Sequence, residues 1–237
     1  MRLIVSDLDG TLLLRGETKL HRLTISAIEK ILDKGAIFCV ASGRNYGELK
    51  RIFEGFCDKI YFIANDGALI VHKEKTIYET PIDNTELKLF NDEKTFVAHG
   101  KYLSFVKSES ERFVRNIKEQ YFGHIVRIYG TEEIDEPIYK MTLYNQNDSS
   151  FDLGKIYYDK SICEYVKKDI NKGKAVSELL KILKMNEADV TAIGDGLNDI
   201  EMLKLAGKSY VIASAPPKVK KFGGCIVNGF TDVADNL

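Results

Sequence analysis

The sequence has little from which to build a covalent scaffold or a soft metal centre. Its four cysteines, Cys39, Cys57, Cys163 and Cys225, are scattered, with no Cys-x-x-Cys pair and no metal-ligand spacing. They are expected to be buried, reduced thiols. The four histidines, His21, His72, His99 and His124, stand apart with no His-x-x-x-His pair, which points to surface or structural roles. Neither sign of charge dominates: 34 basic and 35 acidic residues leave a formal net charge of −1. Nothing therefore favours an electrostatic nucleic-acid binder or a membrane-surface protein, although a site can still be locally positive. No apolar run approaches the roughly 20 residues that span a bilayer, and there is no internal repeat or low-complexity segment. Met1 leads into a strand instead of a signal peptide, so the expected location is the cytoplasm. The glycosylation-like triplet Asn147-Asp148-Ser149 is then a chance match.

What is present describes an ordinary globular chain of 237 residues, 44% hydrophobic and 29% charged, long enough for one large domain or two small ones. The stretch around which the rest is arranged is Asp7-Leu8-Asp9-Gly10-Thr11-Leu12, directly after the apolar run Leu3-Ile4-Val5. Two carboxylates one residue apart sit where a buried strand gives way to a glycine turn. Such strand ends are where open α/β sheets place their ligands.

Taken in order, residues 3–6 read as a strand buried on both faces. A helix capped by Thr24 or Ser26 follows, with Ile25, Ile28, Ile31 and Leu32 at helical spacing. Strands at residues 36–41 and 60–64 flank a second amphipathic helix carrying Leu49, Ile52, Phe53 and Phe56. This alternation predicts a doubly wound, Rossmann-like parallel sheet. After Asn65-Asp66-Gly67 the texture changes to a hairpin, then to strands at residues 102–107, 125–129 and 139–144 with a helix over 109–121. The doubly wound texture resumes with a helix over 174–185, a strand at 190–193 and a helix over 200–206. Residues 1–82 and 170–237 are thus expected to form an α/β core, and 83–169 an inserted α+β unit.

Four features fall at strand or helix ends of that core: Asp7 with Asp9, Ser42 with Gly43, Lys172, and Asp195 with Asn198 and Asp199. In a parallel sheet those ends share one edge, so distant residues meet in one pocket. Their chemistry is complementary. Asp7 and Asp195 suit Mg²⁺, a hard ion that takes oxygen ligands. An aspartate can attack phosphorus if a metal and a cation such as Lys172 offset the charge repulsion. The Ser42 hydroxyl and nearby N–H groups, including that of Gly43, can hold phosphate oxygens. Asp9 can move protons to the leaving group and from water.

In order, these segments resemble the four short motifs of the haloacid dehalogenase superfamily of phosphohydrolases, and the long insertion resembles its C2-capped, Cof-type (IIB) branch. The resemblance implies Asp7 as nucleophile and metal ligand, and Asp9 as general acid/base that also ligates through its backbone carbonyl. It implies phosphate binding by Ser42 and Lys172, metal ligation by Asp195, support of the metal shell by Asp199, and positioning of Lys172 or substrate by Asn198. The implied activity is Mg²⁺-dependent hydrolysis of a small phosphorylated metabolite, such as a sugar phosphate or phosphoglycolate, under a mobile cap. A phosphosugar mutase is the alternative enzyme; the alternatives from another class are a receiver-like protein, against which the insertion argues, and a purely phospho-ligand-binding protein, against which the retention of all the catalytic residue types argues. Oligomeric state is silent in the sequence.

One departure stands out. The family commonly has Asn immediately before the glycine of the third-strand turn, where this chain has Asp66. Asp66 is expected to be a solvated turn residue, the alternative being an extra carboxylate near the mouth of the site that alters substrate preference. In the insertion Arg112, Arg127 and Lys140 are cations able to reach a substrate, and nothing in the sequence selects among them. Tyr102, Tyr144, Tyr157 and Tyr158 are expected to pack within the sheet.

Overall fold

A computed structural model describes residues 2–14, 16–120, 124–144, 151–157 and 161–234. Tyr121, the Asn147-Asp148-Ser149 triplet and Tyr158 lie outside the described residues. The first crossover units are β1 (Leu3–Asp7), α1 (Arg22–Asp33), β2 (Ile37–Ala41), α2 (Tyr46–Ile52) and β3 (Tyr61–Ala64), followed by a hairpin of β4 (Leu69–His72) and β5 (Lys75–Glu79). Then come α3 (Asn84–Leu87), β6 (Phe96–His99), β7 (Ser104–Lys107), α4 (Glu111–Gln120), β8 (Ile125–Arg127), β9 (Lys140–Tyr144), β10 (Gly154–Tyr157) and β11 (Ile162–Val166). The chain continues through α5 (Lys172–Leu183), β12 (Val190–Gly194), α6 (Ile200–Leu205), β13 (Lys208–Ile212), α7 (Pro217–Lys220), β14 (Cys225–Val227) and α8 (Phe230–Ala234).

The apolar runs form strands covered on both faces. In the eight-stranded sheet the order is β14-β13-β12-β1-β2-β3-β4-β5. It is parallel from β14 to β3 and antiparallel at the β4–β5 hairpin. Ile4, Phe38, Val40 and Phe62 point into the layer of α1, α2 and α8. Leu3, Val5, Cys39 and Ala41 point into the layer of α5, packing on Val176, Leu179 and Leu180. Each fully buried aliphatic side chain of this kind contributes about 1.5–3 kcal/mol. The strand order reverses between β1 and β12, so a crevice opens at that point beyond the strands' carboxyl ends.

The second sheet has the order β10-β11-β9-β6-β7-β8. It is antiparallel except for the β7–β8 pair, which α4 connects. Phe96, Ala98, Met141, Leu143 and Tyr165 on one face pack with Phe90 and Ile138 into a core of their own. Among the described residues no helix is long and apolar enough to cross a membrane.

Some local readings change. The cap of α1 is His21, not Thr24 or Ser26: its Nδ1 accepts from Leu23 N–H at 3.3 Å, so the helix starts earlier than its apolar stripe suggests. Asn171 caps α5 by accepting from Lys174 N–H, which makes Lys172 the first helical residue. Tyr144 packs edge-to-face on Phe113, whereas Tyr102 lies exposed in the turn between β6 and β7, outside the sheet, with its ring edge-to-face on Tyr46 of α2. All four cysteines are free, with Cys39 buried and Cys225 exposed.

Candidate active site

β1 and β12 are neighbours, and their ends deliver acids to the same edge. Asp7 is the last residue of β1, and Asp195 follows the last residue of β12. The turn after β12 folds Asp199 back beneath them, where its Oδ2 accepts from the N–H groups of Asp195 and Gly196 at 3.0 and 2.8 Å. One carboxylate oxygen each from Asp7, Asp195 and Asp199 lies within 4.8 Å of the others, and all three residues are buried. Lys172, entering from the start of α5, donates to Asp7 Oδ1 at 2.6 Å and Asp199 Oδ1 at 2.7 Å.

The electrostatics follow from this packing. Burial pushes the Asp7 carboxyl well above its usual range, and the nearby Asp199 charge adds to the effect against the opposing pull of Lys172. Burial alone would discharge Lys172. The carboxylates of Asp199, Asp7 and Asp66 outweigh it and hold the ammonium protonated beyond the ordinary lysine range. Three carboxylates around one ammonium leave a surplus of negative charge and an all-oxygen donor set, which fits a hard divalent cation.

The loop after β1 closes tightly over these acids. Gly10 has φ +94°, and a Cβ there would stand 2.4 Å from Asp195 Oδ2. Thr11 Oγ1 donates to Asp195 Oδ1 at 3.3 Å. Beyond β2, Ser42 is buried and its Oγ accepts from Arg44 N–H at 3.2 Å.

Asp9 is the predicted residue that stands apart. Its carboxylate is exposed and held by Arg44, whose Nε and Nη2 donate to its two oxygens at 2.9 and 2.7 Å. This bidentate pair takes it out of the cluster of Asp7, Asp195 and Asp199. Leu8, buried between the two acids, marks the change of direction: Asp7 ends the strand and Asp9 begins the turn.

Asp66 is the clear correction. It is fully buried, accepting from Asn198 Nδ2 at 2.8 Å and from Lys140 Nζ at 3.2 Å. Burial would raise its pKa, but Lys140 and Lys172 outweigh that and hold it below the usual carboxylate range. The turn after β3 lies under β9 and not in solvent. Asn198, expected beside Lys172 or substrate, donates to Asp66 and also lines the cavity at this edge.

A cavity of about 480 Å³ separates the two sheets at this edge. Asp7, Ser42, Asp195 and Asn198 line one side, while His99, Lys140 and Glu164 line the other. Of the three candidate cations, Lys140 reaches the cavity, whereas Arg127 is taken by Glu111 and by Ser108 O, and Arg112 is exposed. Arg44 and Glu164 carry no motif in the sequence, and His99 is there an isolated histidine; the one usable signal is Lys140-x-Thr142, polar residues alternating with buried Met141 and Leu143 along β9.

A family model for haloacid dehalogenase-like hydrolases matches residues 4–232. The chain belongs to that family. It is 22% identical over 233 residues to the 5-amino-6-(5-phospho-D-ribitylamino)uracil phosphatase YbjI of Escherichia coli, covering 91% of this chain and 86% of that protein. With the HMP-PP phosphatase of Yersinia enterocolitica it shares 25% identity over 241 residues, covering 93% and 86%. A subclass IIB sugar phosphatase of the superfamily superposes with a TM-score of 0.83 at 19% identity, covering 100% of this chain and 98% of that one. A haloacid dehalogenase-like hydrolase from B. subtilis does so with a TM-score of 0.84 at 21% identity, covering 100% of both. This hydrolase therefore shares its fold, second sheet included, with that IIB sugar phosphatase and with the B. subtilis protein.

Proposed function

We propose that the chain is a Mg²⁺-dependent phosphomonoesterase that hydrolyses a small phosphorylated metabolite, such as a sugar phosphate or phosphoglycolate, through an aspartyl-phosphate on Asp7. The observation that carries this reading is the buried contact of Asp7 with Lys172 beside Asp195 and Asp199, at the floor of a cavity sized for a small molecule. The phosphatase names of the relatives agree with it.

In this reading an Asp7 oxygen attacks phosphorus and the ester oxygen departs, taking a proton from Asp9. Water, deprotonated by Asp9, then attacks the phosphorus and releases phosphate, and Asp7 is regenerated. Lys172 orients Asp7 through Oδ1 and supplies positive charge near the phosphoryl oxygens. Ser42 Oγ and the Gly43 N–H hold the remaining oxygens. Asp9 must leave Arg44 to serve, so the pair seen here is a resting arrangement. Asp7, Asp195, the Asp9 carbonyl and, behind them, Asp199 would hold Mg²⁺, which would offset the charge repulsion between carboxylate and phosphate. Residues 83–169 act as the cap that excludes water during the first step.

The test is phosphate release over a panel of metabolite phosphates with Mg²⁺. Asp7→Asn should lower kcat by about 10³-fold or more, and excess chelator should abolish turnover. Full activity in either case rejects the assignment of nucleophile or metal.

A further inference from the structure

β9 carries Lys140 from the second sheet to the reaction edge, where its ammonium meets three acceptors. These are Gly43 O at 2.6 Å, Glu164 Oε2 at 3.0 Å and Asp66 Oδ2 at 3.2 Å. An ammonium has three N–H donors, enough for one to each of these acceptors. Gly43 directly follows Ser42, and the other oxygen of Asp66 accepts from Asn198 Nδ2 at 2.8 Å. One lysine of the second sheet thus ties together the Ser42–Gly43 loop, the turn after β3 and the loop after β12.

The lysine is itself held in place. Thr142 Oγ1 donates to Glu164 Oε1 at 3.1 Å and lies 2.9 Å from His99 Nε2, while His99 Nδ1 lies 3.0 Å from Ser104 Oγ. Asn45 Nδ2 donates to Ser104 Oγ at 3.2 Å, and Asn45 also caps α2. One assignment of hydrogens satisfies this chain. Thr142 spends its proton on Glu164, so His99 Nε2–H donates to Thr142, and Nδ1 accepts from Ser104. The chain starts at Asn45, at the head of α2, crosses the second sheet through a neutral His99, and returns through Lys140 to Asp66.

Burying an ammonium between two carboxylates costs desolvation that apolar contacts would avoid. What the ion cluster adds is direction, because Gly43 and Asp66 belong to two different loops of the site and Glu164 to β11 of the second sheet. We infer that Lys140 is a positioning residue of the reaction: through Gly43 O and Asp66 it sets the Ser42–Gly43 loop and Asn198 in register with Asp7. This rests on the phosphatase reading above. Lys140 does not touch the reacting atoms, and its removal should be felt in kcat more than in KM.

The experiment measures kcat and KM for p-nitrophenyl phosphate at saturating Mg²⁺, per folded molecule, for wild type, Lys140→Met, Asp66→Asn and the double variant. Lys140→Met should lower kcat by about 10- to 100-fold, as small misplacements in a site do, with KM within about threefold. Asp66→Asn alone should cost about three- to tenfold, less than Lys140→Met, because the amide oxygen still accepts from Lys140 while the bond from Asn198 Nδ2 to the other oxygen is lost. The double variant, which leaves one orphaned carboxylate, Glu164, instead of two, should recover part of the lost kcat. A folded Lys140→Met enzyme with wild-type kcat overturns the inference, as does a double variant whose loss is the product of the single losses. Should Lys140→Met not fold alone, the double variant decides: lowered kcat at unchanged KM supports the role, and wild-type kcat overturns it. A wild-type chain that releases no phosphate overturns the phosphatase reading and this one together, whereas an active wild type with unaffected variants overturns this one alone.

Discussion

The Lys172 ammonium donates to Asp7 Oδ1 at 2.6 Å with both side chains buried, across 165 positions of sequence. That contact joins the first strand to the start of α5 and sets the electrostatics of the site. Lys172 is also the counter-charge of Asp199 at 2.7 Å, so its removal strands two buried carboxylates at once. Lys172→Met is therefore expected to destabilise the fold by about 3–5 kcal/mol, the usual loss when a buried pair loses one partner. Urea denaturation at neutral pH measures it. Lys172→Arg should not restore stability, because a planar guanidinium cannot replace a compact ammonium in a pocket with no exposed side-chain surface. A loss below about 1 kcal/mol, the range of surface pairs, would show that the pair is not the electrostatic keystone.

The surplus negative charge of Asp7, Asp195 and Asp199 predicts stabilisation by divalent cations even without substrate. At a Mg²⁺ concentration about 100-fold above its dissociation constant, unfolding should cost about 2.7 kcal/mol more than in chelator. Thermal melts with and without Mg²⁺ measure the shift. Asp195→Asn should remove most of it, because that change deletes a ligand charge without disturbing the Lys172 pairs. A shift of wild-type size in Asp195→Asn would place the ion elsewhere.

Much of this arrangement was legible in the residues because its signals are local. Leu3-Ile4-Val5 announces a strand covered on both faces, and Asp7, Ser42 and Asp195 each follow such a run, so the shared edge could be read before any contact was known. Asp66 was misread because the lysine that buries it lies 74 positions away, in a strand whose neighbours are unknown until β9 pairs with β6 and β11. Turn chemistry alone made it a solvated residue. β6, β10 and β11 are strands of four or five residues, too short to show a clear period: β6 pairs with the next strand β7 and β10 with the next strand β11, and only β9 joins the two hairpins. His21 escaped as a helix cap because an imidazole is not among the usual capping side chains. The orientation of Asp9 depends on Arg44, 35 positions on, and no spacing rule reports such a pairing.

His99 gives the fold a defined response to acid. Burial, reinforced by the Lys140 charge, holds its pKa well below the ordinary histidine value. The unfolded chain takes up this proton near pH 6.5, whereas the folded chain refuses it until much lower pH. The unfolded state thus binds more protons below that point, and stability is complete above about pH 6.5 and falls as the pH drops. His99→Gln should flatten the dependence of unfolding free energy on pH between about 6.5 and 5, by up to about 1.4 kcal/mol per pH unit. Denaturation curves across that interval decide it. An unchanged slope would mean that His99 titrates alike in both states, contradicting the neutral ring that the Ser104 and Thr142 contacts require.

Gly10 tests whether the loop after β1 positions the acids or merely connects elements. At φ +94° it occupies backbone space that costs an L residue about 1–2 kcal/mol, and a Cβ would meet Asp195 Oδ2 at 2.4 Å. Asp195 belongs to the acid cluster, so the loop can relieve that overlap only by shifting itself or by pushing the carboxylate away from Asp7. Gly10→Ala is expected to lower kcat by about 10²-fold, the effect of roughly 1 Å of misplacement, and to shrink the Mg²⁺-dependent rise in melting temperature. Both readouts should move together, because the same displaced carboxylate underlies them. A variant with reduced stability but a full Mg²⁺ shift and wild-type kcat would show that the strain is absorbed in the loop, and that Gly10 serves the turn and not the site.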